Sequence, residues 1–104
     1  MKVEALGKPP GCKLIRISAE VSGGLINSIE IRGDFFASPE ESFEEVEKAL
    51  SGTAVHDLAP AFDTLLTEKG IESFGVSGRG LAEVLSQALA AKESSPEAQD
   101  EKNG

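Results

Sequence analysis

Cys12, His56 and two short runs around Lys8 and Gly33 are where this sequence offers groups able to do chemistry. Cys12 stands between Gly11 and Lys13. A neighbouring ammonium favours the reactive thiolate, but successive side chains of an extended chain point to opposite faces, so an ordinary strand-end cysteine is expected. His56 is followed by Asp57, a pairing that can orient an imidazole as general base. No Ser or Cys stands at a recognisable spacing to complete a triad, and the pair reads as a loop histidine beside a carboxylate. Gly78-Arg79-Gly80 sets an arginine near a helix start, where anions are favoured. It fits neither the dinucleotide fingerprint nor the phosphate loop.

The other two runs say more. In Lys8-Pro9-Pro10-Gly11-Cys12-Lys13 two ammonium groups flank a stiffened turn, and its glycine permits close approach to a phosphate or a carboxylate. In Gly33-Asp34-Phe35-Phe36 a strand is broken and two aromatics follow one another. Consecutive side chains of a regular strand cannot both face inward. An irregular turn that buries both is the first expectation, the alternative being that one phenyl seals the core while the other faces a partner.

Composition bounds what these residues can serve. The chain has 104 residues, 39% of them hydrophobic and 27% charged, enough for one folded domain. Ten Lys and Arg against 18 Asp and Glu leave a net charge of −8, a poor match to nucleic acid. One cysteine and one histidine exclude an internal disulfide and a structural zinc site of four Cys/His ligands. The first residues, Met1 to Lys8, lack the apolar run of a signal peptide, and no window has the roughly 20 apolar residues of a membrane span. A cytoplasmic protein with a reduced thiol is expected. Residues 1–33 carry five bases and three acids, so the acidic excess lies downstream.

The elements that must position these runs are legible from periodicity. Lys13 to Val21 alternate, with Ile15, Ile17, Ala19 and Val21 on one face. Ser22-Gly23-Gly24 then turns the chain into a second strand with Leu25, Ile29 and Ile31 inward. Val3 to Gly7 supplies an edge strand. Ser38 is expected to cap a helix with Pro39 in its first position and Glu41 closing a capping box. That helix should bury Phe43, Val46, Ala49 and Leu50 and expose Glu44, Glu45, Glu47 and Lys48, ending at Gly52. Asp57 should cap a second helix carrying Leu58, Phe62, Leu65 and Leu66, with Pro60 in its first turn and Gly70 after it. Ser77 should cap a third, carrying Leu81, Val84, Leu85, Ala88 and Leu89. The fold class is α+β, a small antiparallel sheet with about three helices packed on one face. Residues 93–104 offer nothing larger than Ala98 to bury and read as a disordered acidic tail, leaving 1–92 as the domain.

Taken in order, Lys8-x-Pro10-Gly11-x-Lys13-Leu14-Ile15, the hairpin, Ile31-Arg32-Gly33-Asp34-Phe35-Phe36-x-x-Pro39-Glu40 and Leu50-Ser51-Gly52 resemble the carboxy-terminal accessory domain of lipoate–protein ligases. The likeness runs from residue 3 to about 90, and its most specific part is Gly-Asp-Phe-Phe followed by Pro-Glu. It implies an accessory subunit that has no activity alone. A separate catalytic subunit would hold ATP, Mg and lipoate, and the two together would activate lipoate to lipoyl-AMP and modify lipoyl-acceptor domains, met transiently. No cofactor would bind this chain alone. The resemblance points to Lys8, Gly11, Lys13, Gly33, Asp34, Phe35 and Phe36 as residues near the partner or the adenylate, none of them catalytic. The family usually has Gly-Gly-Lys where this chain has Gly11-Cys12-Lys13, so Cys12 is expected to be strained if that position needs positive φ. Two other classes stay open: a sulfur-transfer or iron–sulfur assembly scaffold, suggested by a related fold shape and by Cys12, and a non-enzymatic protein-binding module. One thiol is few ligands for a cluster.

Overall fold

Gly23 and Gly24 both take positive φ, 59° and 78°, the pairing that a two-residue type I′ turn requires. In the computed structural model, which describes residues 1–94, they join β2 (Ile15–Ser22) to β3 (Leu25–Gly33), and β1 (Lys2–Gly7) pairs with the other edge of β2. The three strands form an antiparallel sheet in the order β1-β2-β3. Its inward face is apolar: Val3, Ile15, Ile17, Ile26 and Ile31 are essentially inaccessible. Full burial of each such side chain stabilises by roughly 1.5–3 kcal/mol.

One register detail differs from the alternation expected. The pairing shifts between Glu20 and Val21, so that Asn27 is left unpaired opposite them. This bulge re-phases the start of β3. Ile26 therefore enters the core while Leu25, expected inside, is 45% exposed.

Beyond the sheet come β4 (Phe36–Ser38), α1 (Glu40–Ala49), a single 3₁₀ turn (Val55–Asp57), α2 (Leu58–Glu68), β5 (Glu72–Phe74) and α3 (Gly78–Ser94). α3 packs against β1 and β2 and α1 against β3, while α2 packs on both helices. The α+β class and the three helices are as expected. The second sheet, a two-stranded ribbon of β4 and β5, was not. Glu93 and Ser94, assigned to the tail, lie in α3; the remainder of that segment, 95–104, lies outside the described residues.

The helix starts are only partly as expected. Ser77 does cap α3, its Oγ accepting the Gly80 N–H at 3.0 Å. Ser38 does not cap α1, because its backbone is engaged in the ribbon opposite Glu72. Pro39 takes the capping position without a side-chain bond, and Glu40 and Glu41 face the helix's positive end. Asp57 holds the capping position of α2 but also makes no capping bond. On α1 the buried stripe is Phe43, Val46, Glu47 and Leu50, with Ala49 outside. The expectation that Glu47 lies on a solvated face is corrected: it is 9% exposed.

Candidate functional site

Gly33 brings the two distinctive runs together. Its φ is 148°, and a Cβ there would stand 2.1 Å from the Leu14 carbonyl oxygen. Only glycine lets β3 end this close to the segment that follows Lys13. The next residue, Asp34, donates its backbone N–H to Leu14 O at 3.0 Å. Both Gly33 and Asp34 are exposed on their outer side.

Upstream, the Cys12 N–H donates to Pro9 O at 3.0 Å with Gly11 at φ 78°, the signature of a type II turn with Pro10 and Gly11 as its central residues. The left-handed residue is thus Gly11. Cys12 follows the turn, buried among the core residues, and its Sγ lies 3.7 Å from Ser77 Oγ. Pro9 is also buried, and Lys8 and Lys13 remain exposed on either side. Neither lysine forms an ion pair with another described residue.

The ribbon completes the arrangement. Lys13 donates its backbone N–H to Gly75 O at 2.8 Å, and its Nζ lies 5.8 Å from the centre of the Phe74 ring, within cation–π range. Phe74 in turn stands opposite Phe36 in the β4–β5 pairing. Lys13, Phe74 and Phe36 therefore follow one another across the end of the molecule. Sequence reasoning singled out the first and third and missed Phe74; its available signal was a short extended run bounded by Gly70 and Gly75.

The two phenylalanines divide, so the expectation that an irregular turn buries both is corrected. Phe35 turns inward, its ring 5.7 Å from that of Phe43, which meets Phe62 edge-on at 6.1 Å. Phe36 is 57% exposed. Together with Phe35 and Phe43 it lines an open groove of about 580 Å³ between β4 and α1. Glu47 also lines the groove, and its Oε2 accepts from the Ile31 N–H at 2.8 Å and from Arg32 Nη1 at 2.9 Å. Glu47 was also missed, although its spacing of four after Phe43 and three before Leu50 puts it on the buried side of α1.

The other residues singled out in the sequence lie elsewhere. His56 Nε2 lies 3.7 Å from Asp57 Oδ1 on an exposed turn. Gly78 and Gly80 are buried. A Cβ on Gly78 would fall 2.0 Å from Ala59 O, and one on Gly80 would fall 2.7 Å from Cys12 Sγ. Asp63 Oδ1 already accepts the Gly78 N–H at 2.8 Å. This start of α3 is thus built for contact with α2 and with Cys12. No three His, Cys, Asp or Glu side chains among the described residues are gathered so as to hold a metal ion. No helix among the described residues is long and apolar enough to cross a membrane.

The family model described as the bacterial lipoate protein ligase C-terminus matches residues 12–75. The chain belongs to that family. The match spans the Lys13 end of the turn, the break after Gly33 and both ribbon strands, which are the parts that converge in space. A curated relative, lipoate-protein ligase A subunit 2 of Thermoplasma acidophilum, is 38% identical over 45 residues, 43% of this chain and 48% of the relative. The match thus spans about half the length of that relative. Among solved structures, a chain from an archaeal lipoylation system of Thermoplasma acidophilum, comprising a bi-partite lipoate protein ligase and its E2 lipoyl domain, superposes with a TM-score of 0.63 at 28% identity. That alignment covers 86% of this chain and 94% of the other. The lipoate protein ligase C-terminal fold is therefore shared along nearly the whole described chain.

Proposed function

We propose that this protein is the accessory subunit of a bipartite lipoate–protein ligase, acting with a separate catalytic subunit in the cytoplasm. The observation that carries this reading is family membership over residues 12–75 joined to a fold likeness covering 94% of a chain from a bi-partite ligase system. In this reading the catalytic subunit binds ATP, Mg and lipoate. The lipoate carboxylate attacks the α-phosphorus of ATP, forming lipoyl-AMP and releasing pyrophosphate, and an amine of the acceptor domain then attacks the acyl carbon, forming an amide and releasing AMP. The accessory chain supplies no nucleophile. Its contribution is a surface that helps close the site, where excluding water strengthens the electrostatic contacts to the reacting phosphate.

Lys8, Gly11, Lys13, Gly33, Asp34, Phe35 and Phe36 are assigned to that partner-facing end. Gly11 and Gly33 shape the backbone, Phe35 anchors it to the core, and Lys8, Lys13, Asp34 and Phe36 are left facing outward. The decisive experiment measures ATP- and lipoate-dependent modification of an acceptor domain by the catalytic subunit, with and without this chain. Modification should require both polypeptides, and this chain alone should release no pyrophosphate from ATP in the presence of lipoate and magnesium. Full activity of the catalytic subunit by itself, or adenylation by this chain alone, would refute the reading.

A further inference from the structure

Phe36 and Phe74 are 57% and 67% exposed, the two most exposed aromatic residues among those described, and they face each other across β4 and β5. Alternation along the ribbon fixes the side on which they lie. Ala37, the intervening residue, is packed against the core, so Phe36 and its partner Phe74 project from the opposite, outer face. The cation beside them is also held in place. Gly75 takes φ 85°, and a Cβ there would come within 2.5 Å of Lys13 Cγ; the bare backbone is what lets the lysine stem lie down and set its ammonium over the Phe74 ring.

We infer that Phe36, Phe74 and Lys13 form one docking surface, and that its occupant is an apolar pocket bordered by carboxylate groups on the catalytic ligase subunit. The inference rests on the functional reading above and adds to it the anchoring pair, the role of Phe74 and the chemistry of the opposing surface. Adjacent exposed aromatics flanked by a cation are the composition from which interface hot spots are built. An acidic border on the partner follows from the ammonium, which finds no carboxylate among the described residues of its own chain. A second copy of this chain is a poor occupant, since two chains of net charge −8 repel.

The test is titration calorimetry of the intact chain against the catalytic subunit, with Phe36→Thr, Phe74→Thr and Lys13→Glu variants. Threonine keeps a strand-favouring residue at each ribbon position. Each aromatic replacement should weaken binding about tenfold or more, and Lys13→Glu should weaken it and reduce its sensitivity to salt. Leu25→Thr, at the far end of the sheet, should bind as the unaltered chain does. Thermal melting of each variant separates docking from ribbon stability. Loss of melting temperature with unchanged binding would make the aromatic pair a stabiliser of the ribbon and overturn the inference. So would a self-association abolished by Phe74→Thr, or equal weakening by Leu25→Thr. Failure of the unaltered chain to bind the catalytic subunit at all would instead remove the functional reading itself.

Discussion

The carboxylate of Glu47 accepts the backbone N–H of Ile31 at 2.8 Å, so a helix side chain completes the hydrogen bonding of an edge strand. β3 is the outer strand of the sheet, and its outward amides would otherwise be a template for another chain. Farther along the same edge, Ser51 Oγ donates to Asn27 O at 2.6 Å, and Ile26 exchanges backbone bonds with Gly52 and Thr53. Glu47→Ala should therefore cost about 2 kcal/mol, the range for a buried hydrogen bond to a charged group. Glu47→Gln should cost less, because its amide oxygen can still accept the Ile31 N–H. Urea titration of both variants checks this order, and equal stabilities would show that the edge bond contributes little.

Gly33→Ala should be more damaging. The added methyl would meet the Leu14 carbonyl at 2.1 Å, in a backbone conformation that side chains rarely adopt, and a strained site of this kind costs about 1–3 kcal/mol before any displacement of β3 is counted. Gly11→Ala, also at positive φ but with nothing within 4 Å, should lose about 1 kcal/mol. Comparing the two melting temperatures separates close approach from backbone strain alone.

The regular parts of this architecture were legible because they depend on local chemistry. Two glycines made the hairpin turn, and the helices carried apolar residues at matching spacing. What escaped depended on contacts between distant segments. A bulge at Asn27 cannot be inferred from the alternation it interrupts. Ser38 has every local feature of a capping residue, but pairing with Glu72 takes its backbone into the ribbon. Glu47 looks solvated until Ile31 and Arg32 are placed beside it. At the candidate site, Lys13 and Phe36 stood out for their neighbours in sequence, whereas Phe74 gains its meaning only from the strand opposite.

Cys12 stands at a position usually held by glycine, where strain was expected only if that position takes positive φ. Gly11 instead carries the positive φ, and Cys12 fills a core position. Cys12→Gly should consequently lower stability by about 1–2 kcal/mol, by removing buried side-chain volume and freeing the unfolded backbone. Cys12→Ala should lose less, and both variants should support ligase activity as long as they are folded. Chemical denaturation followed by the reconstituted lipoylation assay tests this. A folded Cys12→Ala variant that fails to support modification would assign the thiol a chemical role.

Cys12 and Gly80 should be energetically coupled. Gly80 lies in the first turn of α3, where alanine would ordinarily gain about 1 kcal/mol in helix propensity. Here its methyl would stand 2.7 Å from Cys12 Sγ, with Pro9 Cγ at 3.1 Å and Ser77 Oγ at 3.3 Å. Gly80→Ala alone should therefore destabilise the protein by forcing the thiol or the turn outward. In a Cys12→Ala background the nearest obstacle is gone, and the same change should cost less by about 1 kcal/mol or more, a coupling of the size found between residues in contact. A double-mutant cycle by urea denaturation measures it directly. Strict additivity would mean that the turn from Pro9 to Cys12 shifts freely off α3, and with it the fixed position of Lys13 against Phe74.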